Sequence, residues 1–156
     1  MDTLQNINRK IVPVEQLLEC LSKHASKKVV FTNGCFDILH LGHIEYLSKA
    51  RDLGDLLIAG LNSDSSVTRL KGENRPVNQQ YARAILLAAL EPVDFVVIFD
   101  EDTPLQLIQQ IKPHILVKGG DYTVPDIVGA DVVIKNGGMV KIIPLTEGFS
   151  STNYIK

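Results

Sequence analysis

Residues 28–43 read KVVFTNGCFDILHLGH, and this pattern indicates how the chain is built. The apolar run 28–32 predicts a strand, and a helix is predicted to begin near His43, so His40, Gly42 and His43 lie where a strand is followed by a helix. A helix N-terminus has unpaired N–H groups and about half a positive charge, and histidine donors beside it can hold an anion. Gly42 is small enough to let a phosphate approach the backbone. The pattern therefore predicts a phosphate site, with metal ligation by the histidines as the alternative.

The composition is that of one globular domain. The chain has 156 residues, 45% of them hydrophobic, which is enough to bury a core without disulfides. Its net charge of −2 provides no general attraction for nucleic acid or anionic lipid, so neither is expected as a partner. The sequence shows no apolar run of membrane-spanning length and no signal-peptide pattern. With two cysteines and no metal-ligand spacing, we expect a reduced, cytoplasmic protein that holds no metal through its own side chains.

Strands and helices alternate along the chain. Apolar runs without alternation, typical of buried parallel strands, predict strands at 56–61, 95–99, 115–118, 132–134 and 139–143. Apolar residues at helical spacing predict helices at 13–21, 43–54, 64–70, 78–90 and 103–113, and a last helix that begins at Ser150 or Ser151. The fold class that follows is α/β: a single doubly wound, Rossmann-like, mostly parallel sheet with helices on both faces.

The chain is expected to form one domain in all. Residues 1–27 are predicted to be an N-terminal arm and a helix packed on the domain formed by 28–156, with the first ten residues loosely held. The loops that follow strands are 33–41, 62–64, 118–122 and 146–152. Because the carboxyl ends of parallel strands meet at one edge of a sheet, these loops should line a single cleft.

Two polar segments near this cleft have both a functional and a structural interpretation. The hydroxyl-bearing residues 150–152 can bind phosphate or simply cap the last helix. Lys71 and Arg75 lie in a polar, glycine-bearing loop that can close over a ligand or remain solvated. Arg83, on the exposed side of the helix after that loop, is expected to be a surface charge or an ion-pair partner.

These motifs resemble those of the cytidylyltransferase-like nucleotidyltransferases. Residues 33–43, NGCFDILHLGH, match the family pattern Gly-x-Phe-Asp-x-x-His-x-Gly-His, and residues 146–152, TEGFSST, are similar to its second phosphate motif. Within the second motif the family has a small residue before Ser-Thr-Thr, where this chain has FSST, which keeps the hydroxyls. Residues 66–78 and 116–122 resemble the members that are adenylyltransferases making ADP-heptose. The resemblance implies an α/β domain of the HxGH nucleotidyltransferase type.

The resemblance also implies a reaction and a site. The reaction would be transfer of AMP from ATP to D-glycero-D-manno-heptose 1-phosphate with release of pyrophosphate, for the lipopolysaccharide inner core, by a homodimer that uses Mg²⁺ carried on the triphosphate. The implied catalytic residues are His40, His43 and Lys71. The implied nucleotide-binding residues are Phe36, Gly42, Gly119, Asp121, Tyr122, Ser150, Ser151 and Thr152. The implied sugar-phosphate-binding residues are Asn33, Asp37 and Arg75, with capping of its own loop as the alternative for Asp37.

The implied chemistry needs no general base, because a sugar phosphate is ionised at neutral pH and is itself the nucleophile. Positioning and charge stabilisation suffice, and we expect the two histidines, Lys71 and Arg75 to act as cations that offset the repulsion between phosphates. Two alternatives stay open. One is the same chemistry on another acceptor, either glycerol 3-phosphate with CTP or a flavin or pantetheine phosphate with ATP. The other is a nucleotide-binding protein without catalysis.

Overall fold

One parallel sheet organises the part of the chain that the structure describes, which is residues 2–145 and 148 of a computed structural model. Its strands are β1 (Val29–Gly34), β2 (Leu56–Asn62), β3 (Phe95–Phe99), β4 (Ile115–Gly119) and β5 (Met139–Ile143). Their spatial order is β3-β2-β1-β4-β5, and every neighbouring pair is parallel. The predicted doubly wound α/β fold is thus confirmed. The strand order reverses between β1 and β4, which is where such sheets bind ligands.

Helices cover both faces of this sheet. They are α1 (Thr3–Asn8), α2 (Val14–Ser22), α3 (Leu41–Arg51), α4 (Asp64–Lys71), α5 (Gln80–Ala88), α6 (Leu105–Ile111) and α7 (Ala130–Lys135), with a short 3₁₀ helix at Val124–Asp126. In β1, Val30 packs in one buried cluster with Leu47 of α3, and Phe31 packs in a second cluster with Leu17 of α2 and Ile108 of α6. Because successive side chains of a strand point to opposite faces, β1 contributes to both layers of the core.

The first ten residues differ from the expected loose arm. Thr3–Asn8 form a helix closed by a capping box, in which the Gln5 backbone N–H donates to the Asp2 carboxylate at 2.8 Å and the Asp2 backbone N–H donates to the Gln5 side chain at 2.9 Å. Ile11 then forms an isolated bridge with Val96 of β3. The segment therefore lies against the β3 edge of the sheet. The Asp-x-x-Gln spacing at its start is the sequence signal that predicts this helix.

The predicted strand at 132–134 is wrong, because these residues lie in α7. Gly129, with φ 86°, adopts the left-handed conformation just before the helix. Ala130 and Val133 are buried while Ile134 is 52% exposed, and burial of every third residue is a helical rather than a strand pattern. Three β-branched residues in a row favour a strand, but packing against the sheet decides the local structure here.

The other predicted strands and helices within the described range are confirmed, with ends that differ by a few residues. The predicted last helix, from Ser150 or Ser151, lies outside the described residues, and the division of the chain at residues 27 and 28 stays a prediction. None of the helices in residues 2–145 has the length and apolar character needed to cross a bilayer.

Candidate active site

The two histidines lie side by side at the start of α3. His40 is the N-cap residue and His43 lies in the first turn, with their ring centroids 3.9 Å apart. The His40 backbone N–H donates to Nδ1 of His43 at 3.3 Å. Because Nδ1 is an acceptor in this contact, a neutral His43 ring carries its proton on Nε2. His43 is therefore held in the tautomer in which Nε2 is a hydrogen-bond donor.

Burial lowers the pKa of both histidines. For His43, burial is the largest influence, and the nearby charges of His40 and Lys71 lower the pKa further, to about 4. Burial likewise lowers the pKa of His40. In the protein by itself the lowered pKa favours a neutral His43, so the expected role of His43 as a cation beside bound phosphates stays a prediction, and a neutral imidazole also stabilises negative charge as a hydrogen-bond donor. The effect of Lys71 on His43 also shows that this lysine lies within electrostatic reach of the ring.

The turn between β1 and the histidines is built around Phe36. This residue has φ 45°, in the left-handed region that non-glycine residues rarely adopt. Its ring is almost fully buried and lies 5.5 Å from the His43 ring, centroid to centroid. A Cβ atom at Gly34 would lie 3.0 Å from the Phe36 ring, so any other residue there would require the ring to shift. Phe36, expected to contact the nucleoside, supports the His43 imidazole from behind the turn.

Asp37 joins the histidine loop to the loop that follows α4. Its Oδ1 accepts from the Asn78 backbone N–H at 2.9 Å, and its Oδ2 accepts from the Val77 backbone N–H at 2.9 Å and from Arg75 Nε at 3.0 Å. Burial alone raises the pKa of Asp37, but the backbone hydrogen bonds from Asn78 and Val77, with the Arg75 guanidinium, outweigh it and hold the pKa below its usual value. These contacts reach the loop after α4 and not the loop of Asp37 itself, so they differ from the expected capping, and contact of Asp37 with sugar phosphate stays a prediction.

Arg83 is the main correction to the predicted site. The expected exposed position is wrong, because the side chain is 0% exposed, whereas the alternative of an ion-pair partner is confirmed by the pair with Asp64. Its Nε donates to the Asn78 carbonyl oxygen, its Nη1 to the carbonyl oxygens of Cys35 and Asn62, and its Nη2 to the Asp64 carboxylate, each at 2.8 Å. Three of these acceptors are backbone carbonyls far apart in the sequence. No local pattern around Arg83 indicates them, which is why the sequence does not reveal this residue.

Two cations of the predicted loop lie beside the histidine motif. Arg75 is mostly buried, its side chain being 16% exposed, and within the described part of the chain its Nη2 has no hydrogen-bond partner. Lys71 is the last residue of α4 and is exposed. Gly72 follows it with φ 105° and open space around the position of a Cβ atom. Residues 71–75 thus carry the exposed ammonium of Lys71 and the guanidinium of Arg75, which is bound to Asp37 and has one N–H donor group, Nη2, without a partner among the described residues.

The end of β4 forms the other side of the cleft. A Cβ atom at Gly119 would lie 3.0 Å from the Tyr46 ring, so only glycine fits there without movement. Lys118 Nζ lies 5.3 Å from the centroid of the Tyr122 ring, and burial lowers the pKa of Lys118, with Cys35 nearby acting in the opposite direction. Lys118 is not among the predicted site residues. Its place at the carboxyl end of a central strand is the signal that indicates it.

The structure brings together most of the predicted site residues at the carboxyl ends of the two neighbouring strands β1 and β4. Asn33 lies near the end of β1, Gly42 in the first turn of α3, and Asp121 and Tyr122 just after β4. The predicted phosphate ligands Ser150, Ser151 and Thr152 lie outside the described residues. Across residues 2–145 and 148, no group of three or more His, Cys, Asp or Glu side chains is arranged to hold a metal ion.

A family model described as cytidylyltransferase-like matches residues 31–156. The match spans most of the chain and includes both histidines, and we conclude that this protein belongs to the cytidylyltransferase-like family and is a nucleotidyltransferase.

Named relatives narrow the comparison. The chain is 58% identical over 151 residues to the bifunctional protein HldE of Campylobacter concisus, a match that covers 97% of this chain and 31% of that protein. It is 58% identical over 134 residues to the HldE protein of Geobacter sulfurreducens, covering 86% of this chain and 27% of that protein. The chain therefore spans between a quarter and a third of the length of these relatives.

Two solved structures are similar to this chain. A lipopolysaccharide core biosynthesis protein from Thermoplasma volcanium is 32% identical, with a TM-score of 0.61, over 77% of this chain and 97% of that one. Pantoate-beta-alanine ligase from Francisella tularensis has a TM-score of 0.66 at 17% identity, over 92% of this chain and 72% of that one. The second likeness concerns the fold alone.

Proposed function

We propose that this protein transfers AMP from ATP to D-glycero-D-manno-heptose 1-phosphate, forming ADP-heptose and pyrophosphate for the lipopolysaccharide inner core. The observation that carries the proposal is the pair of imidazoles side by side at the N-terminus of α3, next to the point where the strand order reverses. The acceptor is supported by the resemblance of residues 66–78 and 116–122 to ADP-heptose-forming members, and by similarity to the lipopolysaccharide core biosynthesis protein.

The reaction is an in-line displacement at the α-phosphorus of ATP. An oxygen of the sugar phosphate forms the new bond to phosphorus, and the bond from phosphorus to the oxygen bridging the α- and β-phosphates breaks, so that its electron pair leaves with pyrophosphate. The nucleophile is already ionised and no proton has to be removed. Catalysis therefore consists of bringing two anions together and stabilising charge on the phosphoryl oxygens.

His40 and His43 supply that stabilisation. Nε2 of His43 is held as a donor by the hydrogen bond at Nδ1, and a donor placed where negative charge develops is worth about 100- to 1000-fold in turnover. A neutral imidazole needs no counter-ion before ATP arrives, which is consistent with the lowered pKa of His43. The N–H groups of the first turn of α3 add to the same anion site.

The cations of the cleft offset the repulsion between the two substrates. Lys71 lies within electrostatic reach of His43 and would contact the phosphates of ATP. Arg75 has a buried Nη2 without a partner among the described residues, and a phosphate oxygen of the sugar would satisfy it. Phe36, Gly42, Gly119, Asp121, Tyr122 and residues 150–152 remain the proposed nucleotide contacts, and Asn33 and Asp37 the proposed sugar-phosphate contacts.

Mg²⁺ is the proposed cofactor. Mg²⁺ prefers oxygen ligands, which the histidines, Lys71 and Arg75 do not offer, and the described residues hold no group of three or more His, Cys, Asp or Glu side chains arranged for a metal ion, so the ion would be held mainly by the triphosphate of ATP. When bound there, it would neutralise charge on the leaving pyrophosphate.

A homodimer in the cytoplasm is the proposed assembly. The neighbouring helices α1 and α5 expose the apolar side chains of Leu4, Tyr81 and Leu86, which are 55%, 64% and 48% exposed. We expect a second copy of the chain to cover these side chains. Light scattering coupled to size exclusion tests this, since a single-chain mass at micromolar concentration contradicts it.

The test of the reaction is a substrate panel. Pyrophosphate release is measured with ATP or CTP, each paired with heptose 1-phosphate, glycerol 3-phosphate, 4′-phosphopantetheine or FMN, and products are identified by mass spectrometry. We expect ATP with heptose 1-phosphate to exceed every other pair in kcat/KM by about 100-fold or more, because mismatched acceptors leave buried polar groups unpaired. Turnover only with CTP and glycerol 3-phosphate, or with no pair, contradicts the proposal.

A further inference from the structure

Arg83 is the bulkiest fully buried side chain among the described residues. Burial of a guanidinium is costly unless its N–H groups are paired, and an apolar side chain of similar volume often fills such a space at lower cost. Here the side chain makes four hydrogen bonds, but only one acceptor, Asp64, is charged, and Asp64 itself is 39% exposed. Filling the interior therefore does not explain an arginine at this position.

The acceptors of Arg83 enclose the segment that carries Lys71. Asn62 ends β2 and Asp64 begins α4, whose last residue is Lys71. Asn78 ends the loop that follows. Arg83 thus binds both ends of residues 62–78.

The same guanidinium also binds the histidine loop. Nη1 of Arg83 donates to the Cys35 carbonyl oxygen, two residues before Asp37 and five before His40. One rigid, planar group therefore connects the loop that bears the histidines with the segment that bears the lysine. The ammonium of Lys71 and the ring of His43 come from these two parts and lie within electrostatic reach of each other.

We propose that Arg83 is a positioning residue, which sets the place of Lys71 relative to the histidine pair through its hydrogen bonds to both segments. The inference rests on the proposed function for its effect on turnover, but not for its effect on the geometry of the free protein. Because a displacement of about 1 Å can cost 100-fold in rate, loss of the planar fork should lower kcat even when the positive charge is kept.

Arg51 offers a matched control. Its Nε lies 2.9 Å from the Asp94 carboxylate and its Nη1 donates to the Gly54 carbonyl oxygen at 2.8 Å. It therefore also connects two loops through a carboxylate and a backbone carbonyl. Both loops lie before β2 and β3, at the amino edge of the sheet and away from the histidines. Arg51→Lys should change stability without changing kcat.

A double-mutant cycle separates positioning from general destabilisation. The variants are Arg83→Lys, Lys71→Ala and the double variant, assayed by single-turnover transfer from α-labelled ATP below the unfolding temperature of each. We expect Arg83→Lys to lower the transfer rate about 10- to 100-fold with Lys71 present, and less than about 3-fold once Lys71 is absent. If Arg83→Lys does not fold, Asp64→Asn replaces it in the cycle, with a smaller effect of the same kind.

A second readout needs no substrate. The positive charge of Lys71 contributes to the lowered pKa of His43, so the His43 pKa should rise in Lys71→Ala. In Arg83→Lys it should rise towards the same value if Lys71 has moved away, and in Arg51→Lys it should not move. Failure of the proposed reaction leaves this NMR measurement intact, which keeps the two conclusions distinguishable.

Three results would overturn the inference. The first is an equal loss of transfer rate for Arg83→Lys with Lys71 present and with Lys71 replaced by Ala, and the second is a kcat of Arg83→Lys within about 2-fold of the parent. The third is a His43 pKa that is unchanged in Arg83→Lys although Lys71→Ala shifts it.

Discussion

The two edges of the sheet use polar side chains in different ways. At the amino edge, Asp55, Asp94 and His114 accept hydrogen bonds from backbone N–H groups at the starts of strands, and each remains in contact with water. Among the residues that the structure describes, the buried polar and charged side chains are instead Thr32, Asp37, Asn62, Ser63, Ser66 and Arg83. All of these lie at or beside the carboxyl ends of β1 and β2. At the amino edge, water can replace the hydrogen bonds of these exposed side chains. At the carboxyl edge, the hydrogen bonds are buried and hold the side chains in one arrangement.

The physical reason lies in the cost of an unpaired group. An exposed acceptor that loses its partner is satisfied by water, whereas a buried one keeps its full desolvation cost. We therefore expect polar side chains to be buried where function requires a fixed position of the groups around them. In this protein that region surrounds the histidine pair, and the predictions below test whether the contrast between the edges holds.

The largest expected effect comes from exchanging one histidine at each edge. His43→Ala should lower kcat about 100- to 1000-fold because it removes a donor to the phosphoryl group. His114 accepts from the Val29 N–H at 2.9 Å. His114→Ala should therefore cost about 1 kcal/mol in the free energy of unfolding and leave kcat unchanged. Steady-state kinetics and denaturant unfolding of both variants measure this, and a comparable loss of kcat in both would remove the contrast.

A smaller effect is expected from exchanging one aspartate at each edge. The Asp37 carboxylate accepts three hydrogen bonds and is buried, so Asp37→Asn should cost about 1–3 kcal/mol in the free energy of unfolding. Asp55 is exposed and accepts one, from the Lys28 N–H, and Asp55→Asn should cost at most about 1 kcal/mol. Urea unfolding at neutral pH compares them, and the reverse order of costs contradicts the contrast.

The difference in the free energy of unfolding between the parent protein and Asp37→Asn should also depend on pH. The pKa of Asp37 is lowered in the folded protein, so its contribution to stability is present above the unfolded pKa of about 3.9 and is lost as pH falls through the folded pKa. The stability gap between parent and Asp37→Asn should thus narrow on acidification. A gap that widens towards low pH disagrees with this assignment.

The subtlest test concerns the protonation state of His43. Its pKa of about 4 means that the ring should stay neutral across pH 5–8, with Nε2 protonated and Nδ1 accepting from the His40 N–H. Nitrogen-15 NMR of the free protein reports tautomer and charge directly. A titration midpoint of His43 near the ordinary value of about 6.5, or a neutral ring protonated on Nδ1, would contradict this prediction.

The contrast between the two edges of the sheet also explains which features can be predicted from the sequence. The strands and the histidine motif are predictable because continuous apolar runs and a loop before a helix are local signals, as at 95–99 and 40–43. The role of Arg83 is not, because its partners are backbone carbonyls brought together only by the fold. The same holds for the charge of His43, which depends on burial and on Lys71. The sequence predicts a strand where α7 lies, because three adjacent β-branched residues favour a strand when packing is ignored.

The most direct test of the central claim, that nucleotide binds at the carboxyl ends of β1 and β4, is ATP titration followed by amide chemical shifts in the presence of Mg²⁺. The account predicts that the largest shifts fall in residues 33–43, 71–78 and 118–122, and that His43→Ala weakens them. Largest shifts at the amino edge, in residues 51–55, 91–94 and 112–114, would contradict it.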